Sequence, residues 1–466
     1  MKLRWIILIF LLLNLVTATR YPSVWVDEVQ FSDPAVRLAG GEGFTSTAWF
    51  AQPSHAFFAG NVPLYSLVLS GWVRAFGVSA LAVRSLNYFL TALLCALLCG
   101  FAAARGWIRR DRATLLALLL MAGHSIMFSF RMGRYDVLAM CLFALGAWAW
   151  ADTNRTRSMA ALFAIATFLP WAGLQTLPAA AVYCALLCLW LGREAFLRSL
   201  AAGTGILAGA AALFAFYSSH GVWSAFRAST SGIGLIGQSV TQKLAHLPAA
   251  YLGDKSALCL IAAACLLSWR GRTKLLSFAL TCALLLPAAL HLAGKFPVYY
   301  GWMTYLPLAV AVASRLQSEP RGNVRRAAMA LACLAIAVGL PGRMVAVAAQ
   351  WRDRDPRAIE QWVATSGIAS GQPVVADFKT YYALRRQGAA IYLPTYLDAM
   401  SATERASVHT LLLRREDLDR ATSLLGGQWQ PAGPEWSTTR AGNTVIAKFF
   451  REFHEDDYAL RLYYRL

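Results

Sequence analysis

Two adjacent acids, Asp27 and Glu28, stand in "SVWVDEVQFSDPAVRLAGGEGF" just after an apolar N-terminal run, in a chain with 24 Asp and Glu against 43 Lys and Arg. A carboxylate in or beside a membrane is costly to ionise, which makes such acids candidates for chemistry. Further along, "SFRMGRYDVLAM" compresses Arg131, Arg134 and Asp136 into six residues, and "AGKFPVYYGW" sets Lys295 and Tyr299 in a very short turn between two apolar runs. Carboxylates able to take a proton, beside cations able to hold an anion, suit a reaction on an anionic, membrane-borne substrate. The plainer alternative is that these cations snorkel to lipid phosphates and pair with nearby acids.

The elements that must position these groups are membrane helices. Hydrophobic residues make up 58% of the 466, charged residues 14%, and mean hydropathy is +0.48, a balance too apolar for a soluble chain of this length. The expected fold is a polytopic α-helical membrane protein of about 11 spans. The first covers Trp5 to Ala18 and is read as uncleaved; the others run about 80–101, 113–130, 135–151, 158–174, 176–191, 199–217, 256–269, 274–292, 298–314 and 327–341. The basic loops "ARGWIRRDR", "DTNRTRS", "GREAFLR", "WRGRTK" and "SRLQSEPRGNVRR" then all fall on the inside, as the positive-inside rule requires. Asp27, Glu28, Arg134, Asp136 and Lys295 fall together on the outside. "NVPLYSLVLSGWVRAFG", Asn61 to Gly77, is too short to cross and reads as an interfacial helix in the first outside loop, about residues 20–79.

The membrane part extends over residues 1–349, and 350–466 has the pattern of a small α/β domain on the outer face. "PVVADF", "AAIYLP", "HTLLLR" and "TVIAKFF" read as strands; "YYALRRQ" reads as a short helix, and "REDLDRATSLLGG" as a helix ended by Gly426. The loop from Ser218 to Lys255, with "STSGIGLIGQS", is long enough to be a lid. The breaks in "TFLPWAGLQTLP" read as a short outside turn or as unwound backbone lining a cavity.

Other classes are disfavoured. The net charge of +19 resides between the spans, because basic and acidic residues nearly cancel beyond Gln350, so it is topology rather than a nucleic-acid footprint. The nine cysteines all lie in apolar runs with no CxxC pair and read as small hydrophobes. There is no Walker loop and no dinucleotide glycine fingerprint. The cofactor is unknown at this stage; a divalent metal held by Asp27 with other acids is one option, with no His-rich or closely spaced acidic cluster behind it.

Taken in order, the "DE" of Asp27 and Glu28, the "PLY" of the interfacial helix, Arg84 in "LAVRSLNYFLTALL", the RxxRxD of Arg131, Arg134 and Asp136, and "GKFPVYYGWMTYLPLA" resemble the polyprenyl-phosphate-sugar glycosyltransferases of the GT-C fold. The nearest group contains the protein O-mannosyltransferases (glycosyltransferase family 39) and the lipid A aminoarabinose transferases. The likeness covers most of residues 1–315 and is weakest in the tail. That group often has His-Pro-Pro where this chain has Asn61-Val62-Pro63.

The resemblance implies a plasma-membrane enzyme that moves one sugar from a polyprenyl phosphate to an extracytoplasmic acceptor. It implies a catalytic aspartate at Asp27 and a phosphate-holding Lys295 and Tyr299. Arg131, Arg134, Asp136 and Arg84 are further substrate-binding candidates. Glu28 is either a second active-site acid or a structural carboxylate paired with Arg37 or Arg84, since helical neighbours diverge by about 100°. A transporter or flippase for a lipid-linked saccharide is the competing reading, although it expects charges midway along spans and paired halves. A receptor or scaffold would make Asp27 replaceable.

Overall fold

The computed structural model describes residues 2–50, 52–231, 239–294, 300–437, 450 and 459–466. An apolar helix α1 (Leu3–Thr17) opens the chain, followed by α2 (Val26–Ala39) and α3 (Leu64–Phe76) of the first loop. The long α4 (Ala80–Ala104) starts where the Ser79 side chain accepts a hydrogen bond from the Ala82 N–H, satisfying one of the amides a helix start leaves open. Then come α5 (Thr114–Ala122), α6 (His124–Arg131), α7 (Asp136–Ala151), α8 (Arg155–Thr167), the single turn α9 (Leu169–Ala172), α10 (Thr176–Leu191) and α11 (Arg193–Ser219). The region expected to be a lid contains α12 (Trp223–Ser231) and α13 (Val240–Leu252); the glycines of "STSGIGLIGQS" lie outside the described residues. The bundle continues with α14 (Lys255–Trp269), capped by Asp254, α15 (Lys274–Leu292), α16 (Trp302–Ser318), α17 (Asn323–Ala337) and α18 (Leu340–Ala349).

Helices therefore stand at every expected span, but fewer of them qualify as crossings on their own dimensions. Among the described residues α4, α11 and α15 are long and apolar enough to cross a membrane, and the number becomes five if the bent pairs α5–α6 and α17–α18 each count as one. The bends, 54° and 45°, fall at Gly123 and Gly339. A Cβ on Gly339 would collide with the Ala122 carbonyl, and one on Gly123 with the Tyr305 ring, so the two breaks nest against each other. Outward positions are apolar: Leu189 is 78% and Leu207 70% exposed, with Phe196, Leu200 and Leu284 also facing out. Water would penalise such a surface, and lipid would not.

Close helix packing uses glycine. On α11, Gly205 and Gly209 are four residues apart on one face, and a Cβ at either would strike the backbone of α8 at Phe163 or Thr167. The small-xxx-small spacing lets the two backbones touch where no hydrophobic effect drives them together. Trp171 Nε1 then donates to the Gly209 carbonyl at 2.9 Å.

The C-terminal unit contains α19 (Pro356–Ala364), β1 (Pro373–Ala376), α20 (Tyr381–Arg386), β2 (Ala390–Tyr392), α21 (Ala402–Ser407), β3 (Thr410–Leu413), α22 (Arg415–Leu425), β4 (Trp429–Ser437) and β5 (Ala459–Arg465). The sheet order is β2-β1-β3-β5-β4, with β2, β1 and β3 parallel and β5 antiparallel to both β3 and β4. Strands β1, β2 and β3 and helices α20 and α22 stand where the pattern put them, while "TVIAKFF" lies outside the described residues except for its last Phe. The pattern missed β5 and also β4, whose Pro431 and Pro434 argue against a strand; among the described strands β4 is the outermost, where a residue without an N–H is tolerated.

One side of the sheet has a core of the unit's own, with Val375, Leu397, Leu411, Leu413 and Leu425; the other is shared with the membrane part. Val363, Val374, Ala376, Leu384 and Leu412 pack in one cluster with Val29, Val36, Trp49 and Tyr65 of the first loop.

Gly209→Ala is expected to push α11 off α8 and lower stability by about 1–3 kcal/mol, the usual cost of overpacking. Gly203→Ala, on the same helix with open space around it, is expected to be neutral or stabilising. Midpoints of thermal unfolding in detergent compare the two.

Candidate active site

Helix α2 presents its two acids in opposite directions. Glu28 is fully buried. Its carboxylate meets Arg84, one turn into α4, in a two-pronged pair: Nε to Oε1 at 3.0 Å and Nη2 to Oε2 at 2.5 Å. The remaining nitrogen, Nη1, donates to the carbonyls of Pro22, at 2.8 Å, and Ala18. Tyr382 of α20 adds a hydroxyl donated to Glu28 Oε1 at 3.3 Å. Burial pushes the Glu28 carboxyl up from its ordinary value, and Arg84 opposes the shift. Gly133 makes room for this pair, because it has a φ of +63° and a Cβ there would lie 2.7 Å from Glu28 Cγ.

Asp27 points the other way, and its side chain keeps 26% of its surface exposed. Its Oδ2 accepts from Arg134 Nη1 at 2.6 Å, and Arg134 Nε donates to Asp136 Oδ2 at 2.9 Å, so one guanidinium is forked between two carboxylates. Asp136 is held from its other side by Gln175 Nε2 and Trp302 Nε1, each 3.4 Å from Oδ1. The rings of Phe31, Phe128, Tyr135 and Tyr300 surround the guanidinium at 5.6–6.0 Å. Among the described residues nothing donates to Asp27 Oδ1. Burial raises the Asp27 carboxyl above its ordinary range, Arg134 pulls it back, and Asp136 adds to the rise. Among the described residues, then, one oxygen of this carboxylate is fixed and the other has no donor, and its pKa lies above the ordinary value.

The other expected residues are distributed differently. Arg131 is buried against α1 and α4 and does not reach the fork: Nη1 donates to Asn14 Oδ1 at 2.8 Å, Nη2 to Thr17 Oγ1 at 3.0 Å, and Tyr21 and Tyr88 flank it. No carboxylate pairs with it among the described residues. Lys295 and Tyr299 lie outside the described residues. Their neighbour Tyr300 is described, and its hydroxyl is 3.4 Å from that of Tyr135. Tyr300 lines a small cleft together with Tyr251, Asp254, Ala257, Leu290 and Thr304. Tyr135, Tyr300, Gln175, Trp302 and Tyr382 were not singled out from sequence. Gln175 lies within the proline and glycine break already noted, and Trp302 follows the GKxPxY turn; Tyr382 carries no local signal.

Among the described residues no group of three His, Cys, Asp or Glu could hold a metal ion. Asp27 and Asp136 are bridged by Arg134.

Glu28→Ala leaves the Arg84 guanidinium buried without its carboxylate, and a loss of about 3–5 kcal/mol is expected. Combining it with Arg84→Met is expected to cost less than the sum of the two single changes, as measured by the unfolding midpoints of all four proteins.

No protein-family model and no curated protein matches the chain. Among solved structures it is similar to ArnT from Cupriavidus metallidurans, a crystal structure bound to undecaprenyl phosphate, at 12% sequence identity and a TM-score of 0.43, with 98% of this chain and 97% of that chain covered.

Proposed function

We propose that the protein is an inverting membrane glycosyltransferase that moves one hexosyl or pentosyl unit from a polyprenyl-phosphate donor to an acceptor hydroxyl outside the membrane. The observation that carries this reading is Asp27: a part-exposed carboxylate whose pKa burial raises, bonded through one oxygen to an arginine shared with Asp136, with no donor to its other oxygen among the described residues. In one displacement the acceptor oxygen attacks the anomeric carbon from the face opposite the phosphate, and its proton passes to Asp27 Oδ1. The bond from the anomeric carbon to the phosphate oxygen breaks, and the phosphate departs with the electron pair. Arg134 fixes the orientation of Asp27, and Asp136 with Gln175 and Trp302 fixes Arg134.

Lys295 and Tyr299, through the family resemblance, are the proposed holders of the leaving phosphate, where one donor is worth roughly 3–4 kcal/mol. Arg84 and Arg131 are assigned a different role from the expected substrate contact: Arg84 donates to Glu28 and the Ala18 and Pro22 carbonyls, and the Nη groups of Arg131 donate to α1. Glu28, likewise, is assigned to holding α2. About 11 crossings, with the first loop and residues 350–466 on the outer face of the plasma membrane, complete the proposal.

Transfer of radiolabelled sugar from a panel of polyprenyl-phosphate sugars to membrane extracts tests it. Asp27→Asn is expected to lower turnover by about two to four decades while donor binding is kept. Equal transfer by both proteins removes Asp27 from the mechanism, and translocation of a saccharide lipid in vesicles without any transfer favours a flippase. A base works only when ionised, so activity falls as pH drops through its pKa. Because burial raises the Asp27 carboxyl, the acid limb of kcat/KM is expected above the ordinary aspartate range.

A further inference from the structure

Helix α2 is gripped from two sides, and only one grip comes from the membrane bundle. On the other side, α20 of the C-terminal unit presents Tyr381, Tyr382 and Arg385. The Tyr382 hydroxyl lies 3.1 Å from Ser32 Oγ and 3.3 Å from Glu28 Oε1, two residues one turn apart on a single face of α2. Tyr381 donates its hydroxyl to Asp33 Oδ1 at 2.6 Å, and Arg385 Nη2 reaches the same oxygen at 3.3 Å. Asp33 Oδ2 accepts from Ser46 Oγ and the Thr47 N–H, both at 2.8 Å, tying in the rest of the first loop. Glu28, Ser32, Asp33, Tyr381 and Tyr382 are all buried, so water does not compete for these bonds.

We propose that the C-terminal unit is a positioning element for the reaction: the phenol of Tyr382, acting with the Glu28–Arg84 pair, trims the rotation of α2 about its axis and thereby the placement of Asp27. The inference rests on Asp27 being the base. Asp27 and Glu28 leave the same helical turn, so whatever fixes Glu28 fixes Asp27. A carboxylate about 5–6 Å from a helix axis moves roughly 1 Å when the helix turns by about 10°. A displacement of that size can cost about a hundredfold in rate without weakening binding. Tyr382 thus acts through α2 and touches no substrate. Residues 354 positions apart in sequence are joined at the one turn that carries the acid.

The test compares Tyr382→Phe, Ser32→Ala and Asp27→Asn in the full-length protein, using the donor found active in the transfer panel. Turnover is normalised to sites that bind polyprenyl monophosphate, so loss of folded protein does not count. Tyr382→Phe keeps the ring and removes the hydroxyl; kcat is expected to fall about tenfold with donor KM unchanged, and Ser32→Ala to fall in the same direction. Amide hydrogen exchange across residues 27–33 is expected to quicken in both, with α14 to α16 unchanged. If Tyr382→Phe keeps kcat within twofold while Asp27→Asn is inactive, the positioning role is wrong and the base assignment stands. Unchanged exchange in α2, or a loss of activity matched by the loss of binding sites, also overturns it. If Asp27→Asn itself is active, the reading beneath the inference fails instead.

Discussion

The arrangement around Asp27 depends on burying a charge pair next to it. Taking Glu28 and Arg84 out of water costs several kcal/mol per ion, and mutual attraction offsets that only when the remaining donors and acceptors are satisfied. Here they are, through the Ala18 and Pro22 carbonyls and the Tyr382 hydroxyl. Such a pair has few equivalent geometries, so it locks the start of α2 to α4 and obliges the neighbouring Asp27 to face outward. Gly133 is part of the same constraint, because the loop between α6 and α7 can pass Glu28 only without a Cβ.

The three arginines near this point have three distinct electrostatic settings. Arg84 is matched by one carboxylate, Arg134 is shared by two, and Arg131 is solvated by neutral oxygens and aromatic faces. Sharing Arg134 between Asp27 and Asp136 leaves the trio with a net negative charge, which keeps Asp27 basic while its direction is still fixed by a hydrogen bond. A lone ion pair would fix the direction and lower the basicity more.

The C-terminal unit, though continuous in sequence, is not an appendage in space. Its apolar side chains share a core with the first loop, and its α20 completes the hydrogen bonds of α2. A boundary near residue 350 describes the chain, whereas the packing joins residues 26–90 to residues 359–462.

Composition and apolar periodicity determined the helical membrane character, the places of the helices and most of the α/β elements, because burial in lipid or in a core acts on each segment locally. Local reading also isolated Asp27, Arg134 and Asp136, since charges in an apolar chain stand out. It left open whether Glu28 paired with Arg37 or Arg84, and it missed β4, whose prolines argue against a strand, and β5, which pairs with β3 on one side and β4 on the other. It grouped Arg131 with Arg134, yet α6 ends at Arg131 and Gly133 takes a positive φ, and the one arginine meets α1 while the other meets α2. Tyr382 has no signal in its own neighbourhood, and the break around Gln175 marks the segment but not the partner of its amide. Their roles are set by atoms that lie 354 and 39 residues away, and only the tertiary structure decides which distant groups a buried hydroxyl or amide will meet.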